Sequence, residues 1–167
     1  VVAAIALAAC GWLGWELWPD AAWYLASTQP VDLGAPGEYH LARARENALV
    51  QIRGELVDFV PVTDRDGNAR TVGRLAGTNL LVDRPGRGGP PVFEGRLLPA
   101  RARLDYAEVV GVMRARAAPG EAALGDAWHV LRDGERPRRR LWPLAGLALL
   151  SLVAAVNLRA LVLSLLR

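Results

Sequence analysis

Hydrophobic positions in this chain gather into two long runs, Val1 to Leu17 at the start and Leu141 to Leu158 near the end, with a finer alternation between them. The later run, LWPLAGLALLSLVAAVNL, carries no charge until Arg159. At a rise of about 1.5 Å per residue it reaches across most of a hydrocarbon layer of roughly 30 Å. The pattern predicts two transmembrane helices, residues 1–18 and 141–166. Trp12, Trp15 and Trp18 crowd the end of the first, with Trp23 just beyond, and Trp142 opens the second. An indole ring is apolar in body and carries one N–H to satisfy, so it favours the headgroup level, and these tryptophans read as interfacial anchors. They lie on the middle-segment side of both spans, which predicts a hairpin with both termini on one side. Glu16 and Asp20 mark the return to water, and Pro19 suits a break in the helix.

Residues 19–37 read as an interfacial segment and linker, because Pro30, Gly34, Pro36 and Gly37 interrupt any periodicity. Residues 38–135 then follow a period of two. Leu49 to Val57 is β-branched and partly alternating, and Phe59 to Thr63 continues it past Asp58. Asp64-Arg65-Asp66-Gly67-Asn68 is a hairpin signal, since Asp-Gly supplies the positive φ that tight turns need. Further strands are expected at Arg70 to Leu75, Thr78 to Asp83, Val92 to Leu98 and Trp128 to Leu131. Val109, Val110, Val112 and Met113 favour a strand within Leu104 to Arg116 as well. Short, evenly spaced strands predict a small OB-like β-barrel, whose closure would hide its edges.

The 167 residues are enough for one medium domain plus two spans. Hydrophobic residues make up 52% and sit in excess at the two ends. A net charge of +3 is too small to point to nucleic acid. All basic residues are arginines, a bias that fits a GC-rich genome better than selection for guanidinium chemistry. The single cysteine, Cys10, excludes an intrachain disulfide and a cysteine zinc site. Leu7-Ala8-Ala9-Cys10 resembles a lipobox, but the apolar Gly-Trp-Leu-Gly-Trp that follows favours an unmodified cysteine within an anchor helix.

The candidate chemistry is sparse. His40 and His129 lie far apart and lack partners at metal spacing. Asp64, Asp66 and Asn68 fit a turn better than a calcium loop. Gly86-Arg87-Gly88-Gly89 lacks the Lys-Ser/Thr ending of a phosphate loop. Glu94, Asp105 and Glu108 have no nucleophile or base beside them. No catalytic, cofactor or metal site is therefore expected. The informative charges are Arg136, Arg138, Arg139 and Arg140, which form a basic flank of residues 136–140. They read as a topology signal and as contacts to anionic headgroups. In the second span, Ser151 and Ala155 are small residues that let another helix approach, and Asn157 can bond across a helix interface or sit at the headgroups.

Three stretches carry a family resemblance: Val50-Gln51-Ile52-Arg53-Gly54-Glu55-Leu56, Val92 to Pro99, and Glu108 to Arg114. With the order span, β-rich domain, span, the chain resembles the Surfeit-locus (Shy-type) cytochrome c oxidase assembly proteins. Leu97 stands where that family has tryptophan, and the second span holds no histidine. The resemblance implies an assembly or accessory role and a domain facing the periplasm, and it transfers no site. The visible arginines instead place the domain in the cytoplasm by the positive-inside rule.

The resulting expectation is a non-enzymatic accessory, assembly or scaffold protein of a bacterial inner membrane. Its partners would be membrane lipids and an integral membrane protein or a second copy of the chain, with no nucleic acid. The alternative is a lipid- or haem-binding module at the membrane surface, with His40 or His129 as the handle. An enzyme using Glu94, Asp105, Glu108 or His129 is the remaining possibility.

Overall fold

A computed structural model of the chain describes residues 2–43, 45–63, 67–86, 91–102, 104–116, 128–139 and 141–165. The chain forms two compact units, Val1–Ala26 with Pro137–Arg167, and Ser27–Arg136.

The first unit is a pair of helices, α1 (Val2–Leu25) and α3 (Trp142–Leu165), 24 residues each. They touch at glycines. A Cβ at Gly146 would meet the Leu17 Cδ1 atom at 3.1 Å, and one at Gly14 would meet the Leu147 Cδ2 atom at 3.9 Å. Position rises along α1 as it falls along α3, so the pair is antiparallel. The helix does not break at Pro19 but runs through it to Leu25. Proline removes one N–H and crowds the turn before it, and here the flanking turns and the packing of Ala21 and Trp23, both buried, carry the helix across.

The second unit is a seven-stranded mixed sheet. Its strands are β1 (Val31–Asp32), β2 (Leu49–Arg53), β3 (Leu56–Thr63), β4 (Ala69–Leu75), β5 (Leu80–Arg84), β6 (Val92–Pro99) and β7 (His129–Asp133). The order across the sheet is β1-β2-β6-β7-β5-β4-β3, with β1–β2 and β5–β7 parallel and the other pairs antiparallel. This corrects the expectation of an OB-like barrel, because the sheet is not closed. The reason lies in the longest predicted strand. Leu49 to Thr63 is cut at Gly54-Glu55, so β2 sits near one end of the order and β3 forms the other edge. A connection of two residues forces the sheet to curl. The edges still do not pair.

Each edge is blunted. β1 has only two residues. β3 carries a bulge between Val57 and Val60, with Asp58 at a φ of 55°, and Pro61 has no N–H to offer. β1 arises within the stretch read as linker, and Leu33 just after it is fully buried.

The second correction is Leu104–Arg116, which forms α2 rather than a strand. Tyr106, Val109, Val110 and Met113 recur at i, i+3, i+4 and i+7, and all four are buried against Val72, Leu81 and Val130. Helical periodicity outweighs the β propensity of the valines. The stretch Glu108 to Arg114, read above as a later strand, is therefore helical. The opposite face of the sheet holds a second core of Val50, Ile52, Leu80, Val82, Phe93 and Leu131. Alternation along β5 and β7 thus feeds two cores, Leu80 and Val82 on one face and Leu81 on the other. The residues Asp64 to Asp66, Arg87 to Gly89, Pro119 to Gly125 and Arg140 lie outside the described residues.

Candidate functional site

Charged side chains concentrate where β5, β6 and β7 run side by side. Strand register sets Asp83 opposite Arg132, and Arg132 opposite Arg96. All three share the face that carries Leu81 and Val130, and so lie beside the core under α2.

Asp83 is 3% exposed and organises one end of this row. Its carboxylate accepts from the Tyr106 hydroxyl at 2.6 Å and from Arg70 Nε at 2.7 Å. The first bond ties α2 to β5. Arg96 and Arg132 are like charges directly opposite each other, an arrangement that destabilises a sheet unless answered. Glu135 answers both, at 3.5 Å from Arg96 and 3.0 Å from Arg132. Arg96 Nε also donates to Asn47 Oδ1 at 2.7 Å, which holds the loop before β2.

On the other face the Arg84 guanidinium lies 5.3 Å from the centre of the Phe93 ring and 3.7 Å from Asp133. The other Asp133 oxygen accepts from the Glu94 N–H at 3.2 Å. At the β3 edge, Arg74, buried, donates through Nε and Nη2 to Asp58 Oδ2 at 3.0 and 2.7 Å.

These bonds pair charge with charge and join strands to loops. The pairing suits positioning rather than proton transfer, because each carboxylate named here already faces a guanidinium. Neither histidine belongs to the band. His40 is exposed, and half-buried His129 lies in the ladder opposite Leu80 and Pro99. Glu94 is paired with Arg136 at 3.0 Å, whereas Glu108 is exposed on α2. Among the described residues no cluster of His, Cys, Asp or Glu could hold a metal ion.

The basic flank divides. Arg136 is committed to Glu94, while Arg138 and Arg139 are exposed. Arg140 lies outside the described residues. Trp12, Trp15, Trp18 and Trp142 are all exposed; Trp15, Trp18 and Trp142 lie toward one end of the antiparallel pair, and Trp12 near the middle of α1. Ser151 and Ala155 are exposed, whereas Gly146 and Leu147 of α3 lie against α1. The Ser151 hydroxyl donates to the Leu147 carbonyl at 2.8 Å, and Asn157 Nδ2 donates to the Val153 carbonyl at 2.9 Å. Both polar groups are satisfied inside their own helix.

No family model matches the chain, and neither a curated protein nor a solved structure shows significant similarity to it.

The Asp83, Arg96–Arg132–Glu135 and Asp58–Arg74 groups escape sequence reading. Charged residues inside strands were visible, but the parallel β5–β7 pairing that brings Asp83 to Arg132 has no local signal.

One exposed acidic group is shifted by the fold. The Gly34 N–H donates to Asp32 Oδ1 at 2.9 Å and, with Arg53 at 3.1 Å, holds that carboxyl below the ordinary 3.8. A carboxyl depressed by folding stabilises above its unfolded value and loses the effect as pH falls through its folded value. Asp32→Asn removes that contribution.

 Stated as a difference, the variant is the less stable protein at neutral pH, and the gap closes as pH falls through and below 3.8. Urea unfolding at a series of pH values reads that gap directly.

Proposed function

We propose that the protein is a non-enzymatic, membrane-anchored accessory protein, whose β-domain is held beside a bilayer as a docking surface for another membrane protein or a second copy of the chain. One observation carries the membrane part of this reading. Both helices are long and apolar enough to span a bilayer, and their outward side chains are uncovered: Trp15 is 78% exposed, Leu149 62% and Leu152 63%. Covering a large apolar side chain contributes about 1.5–3 kcal/mol. Lipid supplies that cover without any further protein, and the exposed tryptophans at one end suit the headgroup level.

The accessory part is supported by the β-domain itself. Its charges are locked in pairs within and between strands, which stiffen a sheet that carries a core on each face. The resemblance to Surfeit-locus assembly proteins points the same way.

The protein is expected to stay in the membrane pellet after alkaline washing and to co-purify with a partner, or with itself, from gently solubilised membranes. Release into the wash would mean that α1 is a cleaved signal or α3 a soluble core helix. A chain that always runs alone would remove the accessory role.

The exposed Arg138 and Arg139 beside α3 support a β-domain on the cytoplasmic side. Thr63 is exposed at the end of β3. In a Cys10→Ser background, Thr63→Cys is expected to resist a membrane-impermeant maleimide in intact cells and to react once they are opened. Labelling of intact cells would put the domain on the outer side.

A further inference from the structure

Taken singly, α1 and α3 each look long enough for an ordinary bilayer. Taken as a packed pair, they do not. The contacts of Leu17 with Gly146 and of Leu147 with Gly14 fix their antiparallel register. That register sets Glu16, on α1, at about the level of Ala145 and Gly146 on α3. Arg159 lies about 13 residues further along α3, or ~20 Å. The uncharged band that the two helices share is therefore bounded by Glu16 at one end and Arg159 at the other. An ordinary hydrocarbon layer is roughly 30 Å thick.

Both bounding groups face outward. Glu16 and Arg159 are exposed, and neither has a hydrogen bond or ion pair among the described residues. The other polar side chains further along α3 behave differently. Ser151, Asn157 and Ser164 each bond to a carbonyl of their own helix. Arg159 has five donors and, among the described residues, no acceptor to receive them.

A guanidinium inside the hydrocarbon is costly and escapes by reaching for the nearest headgroups. Helix geometry limits that escape here. Every Cα–Cβ bond tilts toward the helix N-terminus, and in α3 that direction points away from the surface that Arg159 must reach. Lodging Arg159 deep, so that Ala160 to Leu165 also lie in hydrocarbon, would make the side chain climb against its own Cβ direction. The shallow placement, with Arg159 level with the phosphates, avoids this.

We infer that the helix pair is built for a thin hydrocarbon layer: its apolar faces are covered by short-chain phospholipid, and Arg159 contacts the phosphates of the leaflet opposite the tryptophans. The inference rests on the membrane reading above and adds the class of lipid. It also assigns Arg159 a role as the group that sets the depth of the pair. The tryptophans mark the near surface and Arg159 the far one.

The test is reconstitution of the full chain into vesicles of dilauroyl, dimyristoyl, dioleoyl or dierucoyl phosphatidylcholine, scored by the fraction that floats with the lipid. Recovery is expected to be highest in the two shorter lipids and to fall by at least about tenfold in the dierucoyl vesicles. Arg159→Leu extends the uncharged band of α3 and breaks no hydrogen bond or ion pair among the described residues, so its recovery is expected to shift toward the longer lipids. Equal recovery at all chain lengths, or a wild-type maximum in the longer lipids, overturns the inference and leaves the membrane reading standing. Recovery in the longest lipid only as a cross-linkable oligomer also overturns it, since Arg159 would then be answered by a protein carboxylate. Failure to float with any of the four lipids overturns the membrane reading and this inference together.

Discussion

Asp83→Ala is expected to destabilise the β-domain by about 3–5 kcal/mol, because it removes one partner of a buried ion pair. Asp83 lies in the middle of a row that runs from β4 to β6, and its side chain is almost wholly out of water. Truncation takes away the acceptor of two short bonds at once, from the Tyr106 hydroxyl and from Arg70 Nε. Asp83→Asn keeps an oxygen for Tyr106 and should cost less. Tyr106→Phe removes only the hydroxyl and should cost about 1–2 kcal/mol. Hydrogen exchange of the most protected amides of β5 and β7 reads these differences in the full chain held in micelles. For Asp83→Ala the exchange should quicken by about a hundredfold to a few thousandfold. An effect no larger than that of Tyr106→Phe would show that the Arg70 bond contributes little.

The same residue shows what a sequence can and cannot disclose. Leu80-Leu81-Val82-Asp83 reads as a strand from its β-branched and apolar run, and β5 is there. That Asp83 is a buried acceptor is a different matter. It depends on Arg70 from the neighbouring antiparallel strand, and on Tyr106 from a helix that the valines disguised as a strand. The helix was open to a stricter reading of period, since Tyr106, Val109, Val110 and Met113 repeat at helical and not at strand spacing. The parallel pairing of β5 with β7 was not. Parallel neighbours lie far apart in sequence, and nothing at either strand names the other.

The apolar ends behaved otherwise. Two long uninterrupted runs leave few alternatives to helices, because a segment of that length satisfies its backbone polar groups locally only by coiling. Their mutual register was hidden for the same reason that made them easy to see. Uniform apolarity has no preferred face, so only the close approach at Gly14 and Gly146 tells which levels meet. Ser151 and Ala155, the small residues expected to admit another helix, lie on a face that the pair leaves open. The barrel failed at Gly54. Gly54-Glu55 reads as a step within one strand, whereas a Cβ at Gly54 would strike the Tyr39 hydroxyl and crowd Leu75, and the chain changes its pairing partner there.

Gly95→Ala is the substitution in β6 expected to cost most, about 3 kcal/mol or more, through a clash that no rotamer relieves. Gly95 pairs with Asp133, and a Cβ at Gly95 would strike the carbonyl of Arg132. The obstacle is backbone, so relief requires β6 and β7 to separate. Separation would loosen the Asp133 bond to the Glu94 N–H and the hold of Glu135 on Arg96 across the same two strands. These contacts fix Gly134 to Arg136, the last residues of the β-domain before the chain turns toward α3. Gly111→Ala is the matched control. It lies within α2, where an added methyl meets nothing within 4 Å, and it should be neutral or stabilising by about 0.5–1 kcal/mol. Hydrogen exchange of the β6 and β7 amides, compared between the two variants, distinguishes a local steric effect from a general intolerance of alanine. Protection in Gly95→Ala equal to that in Gly111→Ala would mean that the two strands can part at no cost, and that the arginine row does not depend on their close approach.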